Sequence, residues 1–285
     1  MKKFILLLSI CSLAVGCKSD KKQAESTEET TEQIKMFALD GGQVMVNKLE
    51  LFSQDTTYTG QTRAFADAFY VIEHPKGRLM WDAGLPENLV GQEPFTDPSG
   101  AFTVSRKDSL AKQLKAINMS IDSIDYIALS HSHFDHTGHA NLLKNATWLV
   151  QESEYNFVTN DSAKIKDPNT YNSIKELTNV KTLNGDHDVF GDGSVIIKSM
   201  PGHTIGHQVL FVDLGHDQPY LLTGDLYHLE ENRTNKGVPI FNYNVEQTLE
   251  SMAAFEAFAK EKNALVFIQH SKEDFKKLNE LLSKN

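Results

Sequence analysis

Within six residues, His131-Ser132-His133-Phe134-Asp135-His136, the chain sets three imidazoles and a carboxylate just past an apolar run, Tyr126-Ile127-Ala128-Leu129. No other stretch restricts the fold as strongly. Side chains alternate along an extended segment, so His131 and His133 point to the same side. Asp135 and His136 follow as the chain turns away and reach a second point nearby. Imidazole and carboxylate are the donors that hold zinc, iron or manganese. A merely polar loop is the competing interpretation, and four ligand-type side chains in this order weigh against it.

Three later stretches repeat the pattern of polar residues following an apolar strand. Pro201-Gly202-His203 follows 195–200, Thr223-Gly224-Asp225 follows 220–222, and Gln269-His270 follows 264–268. Strand ends are where a rigid scaffold presents reactive groups. Cys11 and Cys17 are the two cysteines and both lie near the N-terminus, so the folded body has neither a disulfide framework nor a thiolate ligand. Its metal site must be built from His, Asp and Glu.

Met1-Lys2-Lys3 and the apolar run 4–15 are too short for a membrane span and right for a signal-peptide core. Leu13-Ala14-Val15-Gly16-Cys17 resembles a lipoprotein signal, with Cys17 as the lipidated residue and the sole expected means of membrane attachment. An ordinary secretory signal is the alternative. Residues 1–17 are therefore expected to be a leader and 18–33, charged and poor in apolar residues, a disordered tether. Residues 34–285 make one domain of an exported protein, either anchored as a lipoprotein or secreted or periplasmic. The net charge of −10 argues against nucleic acid and an anionic membrane surface as partners, and favours a neutral or weakly charged small molecule.

Periodicity predicts strands over 43–52, 68–73 and 78–81, with 74–77 as a turn and 58–65 as a loop near the site mouth. A helix is expected over 106–119 with Ser105 as its cap, then a strand at 124–129 and a short helix at 138–144. A strand at 147–150 and a helix at 152–158 precede a loop at 161–171 that contains Pro168. From 189 onward strands are expected at 195–197, 208–214, 220–223 and 264–268. Asn244 opens a long helix with Leu249, Met252, Phe255 and Phe258 or Ala259 facing inward, and Ser271 opens a terminal one. The order describes an α/β (α+β) layered fold.

His-x-His-x-Asp-His, a distant Gly-His, then Gly-Asp, then a His after a strand resemble the metallo-β-lactamase superfamily. The resemblance implies a single-domain αββα sandwich with two metal ions, zinc by default. It assigns His131, His133 and His203 to one ion and Asp135, His136 and His270 to the other, with Asp225 bridging. Hydroxide held between the ions would attack a carbonyl. Asp82, in Trp81-Asp82-Ala83-Gly84, matches a stretch that supports the metal loop by hydrogen bonds; an Asp capping a turn is the alternative. His139 and His207 are expected beside the ligands or exposed, and His74, His187 and His216 in turns.

Within the superfamily the absence of cysteine from residues 34–285 and the presence of Asp225, which the other β-lactamases commonly lack, argue against the β-lactamase branches. The acidic charge and the 15 residues after His270 argue against glyoxalase II and the RNA nucleases. The chain looks most like the N-acyl homoserine lactonases, which implies quorum quenching by opening of an acyl lactone ring. Another esterase or an organophosphate hydrolase on the same metal site is the alternative. Asp135 is expected to be catalytic. His228, or Tyr227 beside it, stands where that family has a Tyr that bonds the substrate carbonyl. Phe65, Phe69 and Phe95 are candidates for an acyl-chain wall.

Overall fold

The computed structural model describes Met1 and residues 33–284. The expected leader and tether, Cys17 included, lie outside the described residues apart from Met1 and Gln33. The first sheet holds β1 (Lys35–Val46), β2 (Arg63–His74), β3 (Gly77–Trp81), β4 (Phe95–Thr96), β5 (Phe102–Ser105), β6 (Tyr126–Ala128), β7 (Thr147–Gln151) and β8 (Val180–Leu183), in the order β4-β5-β1-β2-β3-β6-β7-β8. The second holds β9 (His187–Asp188), β10 (Val195–Ser199), β11 (Gln208–Val212), β12 (Tyr220–Leu222) and β13 (Leu265–Phe267), in the order β13-β12-β11-β10-β9.

Period-two alternation on β2 explains the layering. Tyr70 and Ile72 point between the sheets with Trp81 and Leu149, against Ile197, Leu210, Leu222 and Phe267 of the second sheet. Phe69 and Val71 point the other way, onto a layer that includes Leu114 of α1 (Leu110–Ala116), with α2 (Phe134–Thr137) beyond it in the chain, and Val158 of α3 (Glu152–Thr159). A strand buried on both faces reads as continuously apolar, which is the pattern of residues 68–72 of β2. After α3 come α4 (Asp161–Lys166), α5 (Pro168–Ile174) and α6 (Glu230–Asn235). The outer face of the second sheet, Val209, Phe211 and Leu221, is covered by Met252, Phe255 and Ala259 of α7 (Val245–Lys262). The terminal α8 (Lys272–Leu282) adds Leu278 to the intersheet core. The layers are helix, sheet, sheet, helix.

The hairpin over 74–77 has the expected register, Glu73 opposite Arg78. Asn244 caps α7 by accepting the Gln247 N–H at 3.0 Å, and Ser271 caps α8 by accepting that of Asp274 at 3.0 Å. Other expectations need correction. The first strand starts at Lys35 and stops at Val46, and Leu49–Phe52 is a single 3-10 turn. The expected loop 58–65 gives its last residues to β2. Ser105 ends a strand; the cap is Ser109, which accepts the Lys112 N–H, so the helix starts at Leu110. The expected helix at 138–144 is a 3-10 turn, Ala140–Leu143, preceded by α2. The stretch 161–171 is helical: Pro168 opens α5 at a position whose N–H would have no helical partner, so it starts a helix there instead of breaking one. Leu249 is 38% exposed on the outer side of α7. His74 is buried, stacked on Phe190 at 4.1 Å and bonded to Asp192 at 2.9 Å.

Strands β10 and β12 both run antiparallel to β11, and β13 runs parallel to β12. Their C-terminal ends therefore share one edge of the sandwich, and the segments that follow them carry His203, Asp225 and His270.

Candidate metal centre

The turn after β6 is pinned before its ligands begin. Ser130 N–H donates to Asp82 at 2.6 Å, and Asp82 Oδ2 accepts hydrogen bonds from His136 Nδ1–H at 3.1 Å and Gln269 Nε2–H at 2.8 Å. Asp82 thus supports the metal loop and the segment before His270 together. It holds φ of +61°, a left-handed strain offset by three hydrogen bonds. Gly224 has φ of +49°, and a Cβ there would lie 2.7 Å from that of Ser130, so only glycine lets the Asp225 turn approach the first motif.

Two donor clusters result, His131, His133, His203 with Asp225, and Asp135, His136 with His270. In the first, His133 Nδ1 lies 2.8 Å from His131 Nε2 and 3.2 Å from His203 Nε2, while Asp225 Oδ2 is 3.5 Å from both of the latter. Four donors around a zinc ion at its usual bond lengths stand about 3.3 Å apart, which these spacings bracket. In the second, Asp225 Oδ1 is 3.1 Å from His136 Nε2 and 2.9 Å from His270 Nε2. Asp135 keeps 3.9 Å and 3.8 Å from these nitrogens, a looser set that leaves room for a further ligand. His136 Nε2 and Asp225 Oδ1 are buried without a hydrogen-bond partner, the condition of donors that face a cation. The residues fit two divalent ions.

Supporting bonds set the ring orientations. The His270 ring presents Nδ1 to the Ala66 carbonyl at 2.9 Å, turning Nε2 inward. His207 is not a ligand: its Nδ1–H donates to the Met200 carbonyl at 3.1 Å and its Nε2 accepts the Asp225 N–H at 3.0 Å, so it is neutral, and burial lowers its pKa to about 4. His139 is likewise buried and lies against Arg106 at 2.8 Å. Burial, with neighbouring imidazoles adding, holds His131 and His203 well below the ordinary histidine range. Burial acts the same way on His270, but Asp225 outweighs it and raises the pKa to about 9. Asp67 on β2 is a further buried carboxyl close by. Burial and then the charge of Asp135 raise its pKa well above the ordinary carboxylate value.

A cavity of about 430 Å³ opens on the cluster. Asp135, Asp225, His228 and His270 form its polar end, and Phe52, Phe65, Phe102, Phe134, Ile240 and Phe241 its apolar wall. His228 Nε2 stands 3.0 Å from Asp225 Oδ2, without the alignment of a hydrogen bond. Tyr227 corrects the expectation. Its hydroxyl donates to Glu256 at 3.1 Å, and the ring is buried under α7 against Phe255. Successive side chains diverge, and the one beside His228 faces the core. Of the aromatic candidates Phe65 lines the cavity and stacks on His270 at 5.5 Å. Phe69 is fully buried on the helix-covered face of the sheet, and Phe95 is 53% exposed on an adjoining cavity. Phe134, Phe52 and Phe241 were not among the sequence candidates; only Phe134, set between ligands of the first motif, carried a signal.

The profile of the metallo-beta-lactamase superfamily matches residues 64–270. The chain is similar to the N-acyl homoserine lactonase AttM of Rhizobium radiobacter, 30% identical over 74% of this chain and 85% of that one. It is also similar to the N-acyl homoserine lactonase AiiA of Bacillus thuringiensis subsp. kurstaki, 28% identical over 73% and 82%. Among solved structures it superposes on an N-acyl homoserine lactone hydrolase with the product N-hexanoyl-L-homoserine at its catalytic metal centre, with a TM-score of 0.74 and 25% identity over 86% of this chain and 96% of that one.

Proposed function

Because the chain belongs to the metallo-beta-lactamase superfamily and, within it, to the N-acyl homoserine lactonases, we propose that it is a metal-dependent hydrolase that opens the ring of N-acyl homoserine lactones, a quorum-quenching activity. The observation that carries this reading is an apolar cavity of about 430 Å³ ending on two His/Asp donor clusters that share Asp225. Two divalent ions held there, zinc by default, would supply Lewis acidity and lower the pKa of a bound water towards 7. His131, His133 and His203 would hold one, Asp135, His136 and His270 the other, and the two oxygens of Asp225 one each.

The protein's own groups do the rest. The aromatic wall takes the acyl chain and leaves the lactone at the polar end. Asp135, 13% exposed there, takes a proton from the attacking water and returns it to the ring oxygen as the ring C–O bond breaks. One water is consumed, and the acid formed gives up its proton to solvent to leave the acyl-homoserine carboxylate. His228 is the group positioned to donate to the carbonyl oxygen as charge develops on it. The Met1–Cys17 leader supports export, with a lipid on Cys17 as the anchor, and the net charge of −10 disfavours nucleic acid as a partner.

The test is incubation of the metal-loaded protein with N-hexanoyl homoserine lactone and, at equal metal content, with a phosphotriester and an aryl ester. Ring-opened acid formed in clear preference to hydrolysis of the other two is expected. A fully loaded protein that leaves the lactone intact refutes the proposal, and preference for the phosphotriester or aryl ester substitutes the alternative hydrolase.

A further inference from the structure

We propose that Glu154, which contributes no ligand atom, is the positioning residue of the first metal ion, joining the two loops that supply its histidines. This rests on the two-ion reading above. Glu154 is the third residue of α3 and 3% exposed. One carboxylate oxygen accepts the Ser132 N–H at 3.1 Å and the Ser132 hydroxyl at 2.6 Å; the other accepts the Gly206 N–H at 2.8 Å. All three partners donate, so both carboxylate oxygens act as acceptors. A buried carboxylate is sustained only by such bonds.

The location explains why they matter. Ser132 lies between His131 and His133, and alternation turns its side chain to the far side of the segment from theirs, where Glu154 waits. Gly206 lies between His203 and His207. The carboxylate thus spans the first motif and the His203 loop, the two segments whose nitrogens approach to 3.2 Å in the first cluster. Sterics enforce the same docking: a Cβ on Gly206 would lie 2.5 Å from the Glu154 Cβ, so a side chain there would push α3 away. Ser153 adds a hydroxyl bond to the Ile205 carbonyl at 3.2 Å. Asp82 performs the matching task for the second ion, bonding His136 and the residue before His270. Each ion of the pair is backed by its own buried carboxylate, and the two can be lost separately.

The experiment is a competition titration of metal-free protein with zinc against a chromophoric chelator, which returns two dissociation constants. His203→Ala and His270→Ala assign them to the first and second ion. In Glu154→Gln the side-chain amide cannot accept at both loops, and the first constant is expected to weaken about 10–100-fold while the second stays within about twofold. Ser132→Ala, which removes only the hydroxyl bond, is expected to weaken the first constant about tenfold and serves if the Glu154 variant does not fold. Equal weakening of both constants, or no change beyond twofold in the variants that fold, overturns the proposal: the first result marks a merely structural carboxylate. Wild-type protein that takes up no zinc overturns the two-ion reading itself, and this inference with it.

Discussion

Asp82→Asn separates charge from backbone shape. Asp82 holds φ of +61°, a conformation that asparagine adopts as readily as aspartate, so the turn should survive the exchange. What changes is the acceptor count. The carboxylate receives Ser130 N–H at 2.6 Å, His136 Nδ1–H at 3.1 Å and Gln269 Nε2–H at 2.8 Å, in a position with no solvent exposure. Asparagine keeps one oxygen and turns an amide group towards the remaining donors. One buried donor left unpaired costs about 1–3 kcal/mol of stability. Loss of a hydrogen-bond partner behind a metal ligand typically weakens the ion about 10–100-fold, or about 1.4–2.7 kcal/mol. Since His136 and His270 both belong to the second cluster, that ion should bear the loss. Zinc competition titrations with thermal melts of the metal-free protein measure both quantities. If Asp82→Asn binds both ions within twofold of wild type and melts at the wild-type temperature, the reasoning is wrong.

His228→Ala should lower kcat/KM for an acyl lactone by about 100-fold, the scale of a lost oxyanion donor, whereas Tyr227→Phe, which loses only a bond to Glu256 at 3.1 Å, should cost about 1 kcal/mol of stability and leave turnover nearly unchanged; the reverse ranking in steady-state kinetics would return Tyr227 to the site. Phe69→Ala should destabilise the fold by about 3–5 kcal/mol in chemical denaturation without raising KM, while Phe241→Ala, on the cavity wall, should raise KM for a hexanoyl substrate about tenfold. Stability of the metal-free protein should fall at both ends of the neutral range. His131 and His203, held well below the ordinary 6.5, leave the folded state with fewer protons than the unfolded one in acid, so stability declines as pH drops below about 6.5. His270, raised to about 9, stabilises fully below about 6.5 and loses that contribution as pH rises through about 9. Denaturant midpoints measured from pH 5 to 9.5 that rise throughout would contradict this balance.

Within the first motif the split could be read from the chain itself, since alternation turns His131 and His133 together and the next turn carries Asp135 and His136 aside, whereas joining His203, Asp225 and His270 to them came from the resemblance to the metallo-β-lactamase superfamily. The strands of the intersheet core were legible for a similar reason, since continuous apolar runs such as 69–72 need burial on both faces. Errors gathered where local signals compete. Pro168 both starts helices and breaks strands, and only the segment before it, α4, shows which applies. Ser105 and Ser109 are equally good caps by residue type, and pairing of β5 with β1 claims the first for a strand.

Composition and spacing by themselves limited the donors to nitrogen and oxygen and placed them at four strand ends, while the bridging place of Asp225 is what the family resemblance implies. Tertiary packing decided the rest. It sent Tyr227 under α7 and left His228 at the cavity, made Phe65 a wall and Phe69 core, and brought Glu154, remote in sequence from Gly206, between the two loops of the first cluster. The physical reason is range. A ligand's type and its alternation with neighbours are local properties of the chain, whereas the side a residue faces at a turn, and the donors that gather on a buried carboxylate, depend on elements that meet only when the two sheets close on each other.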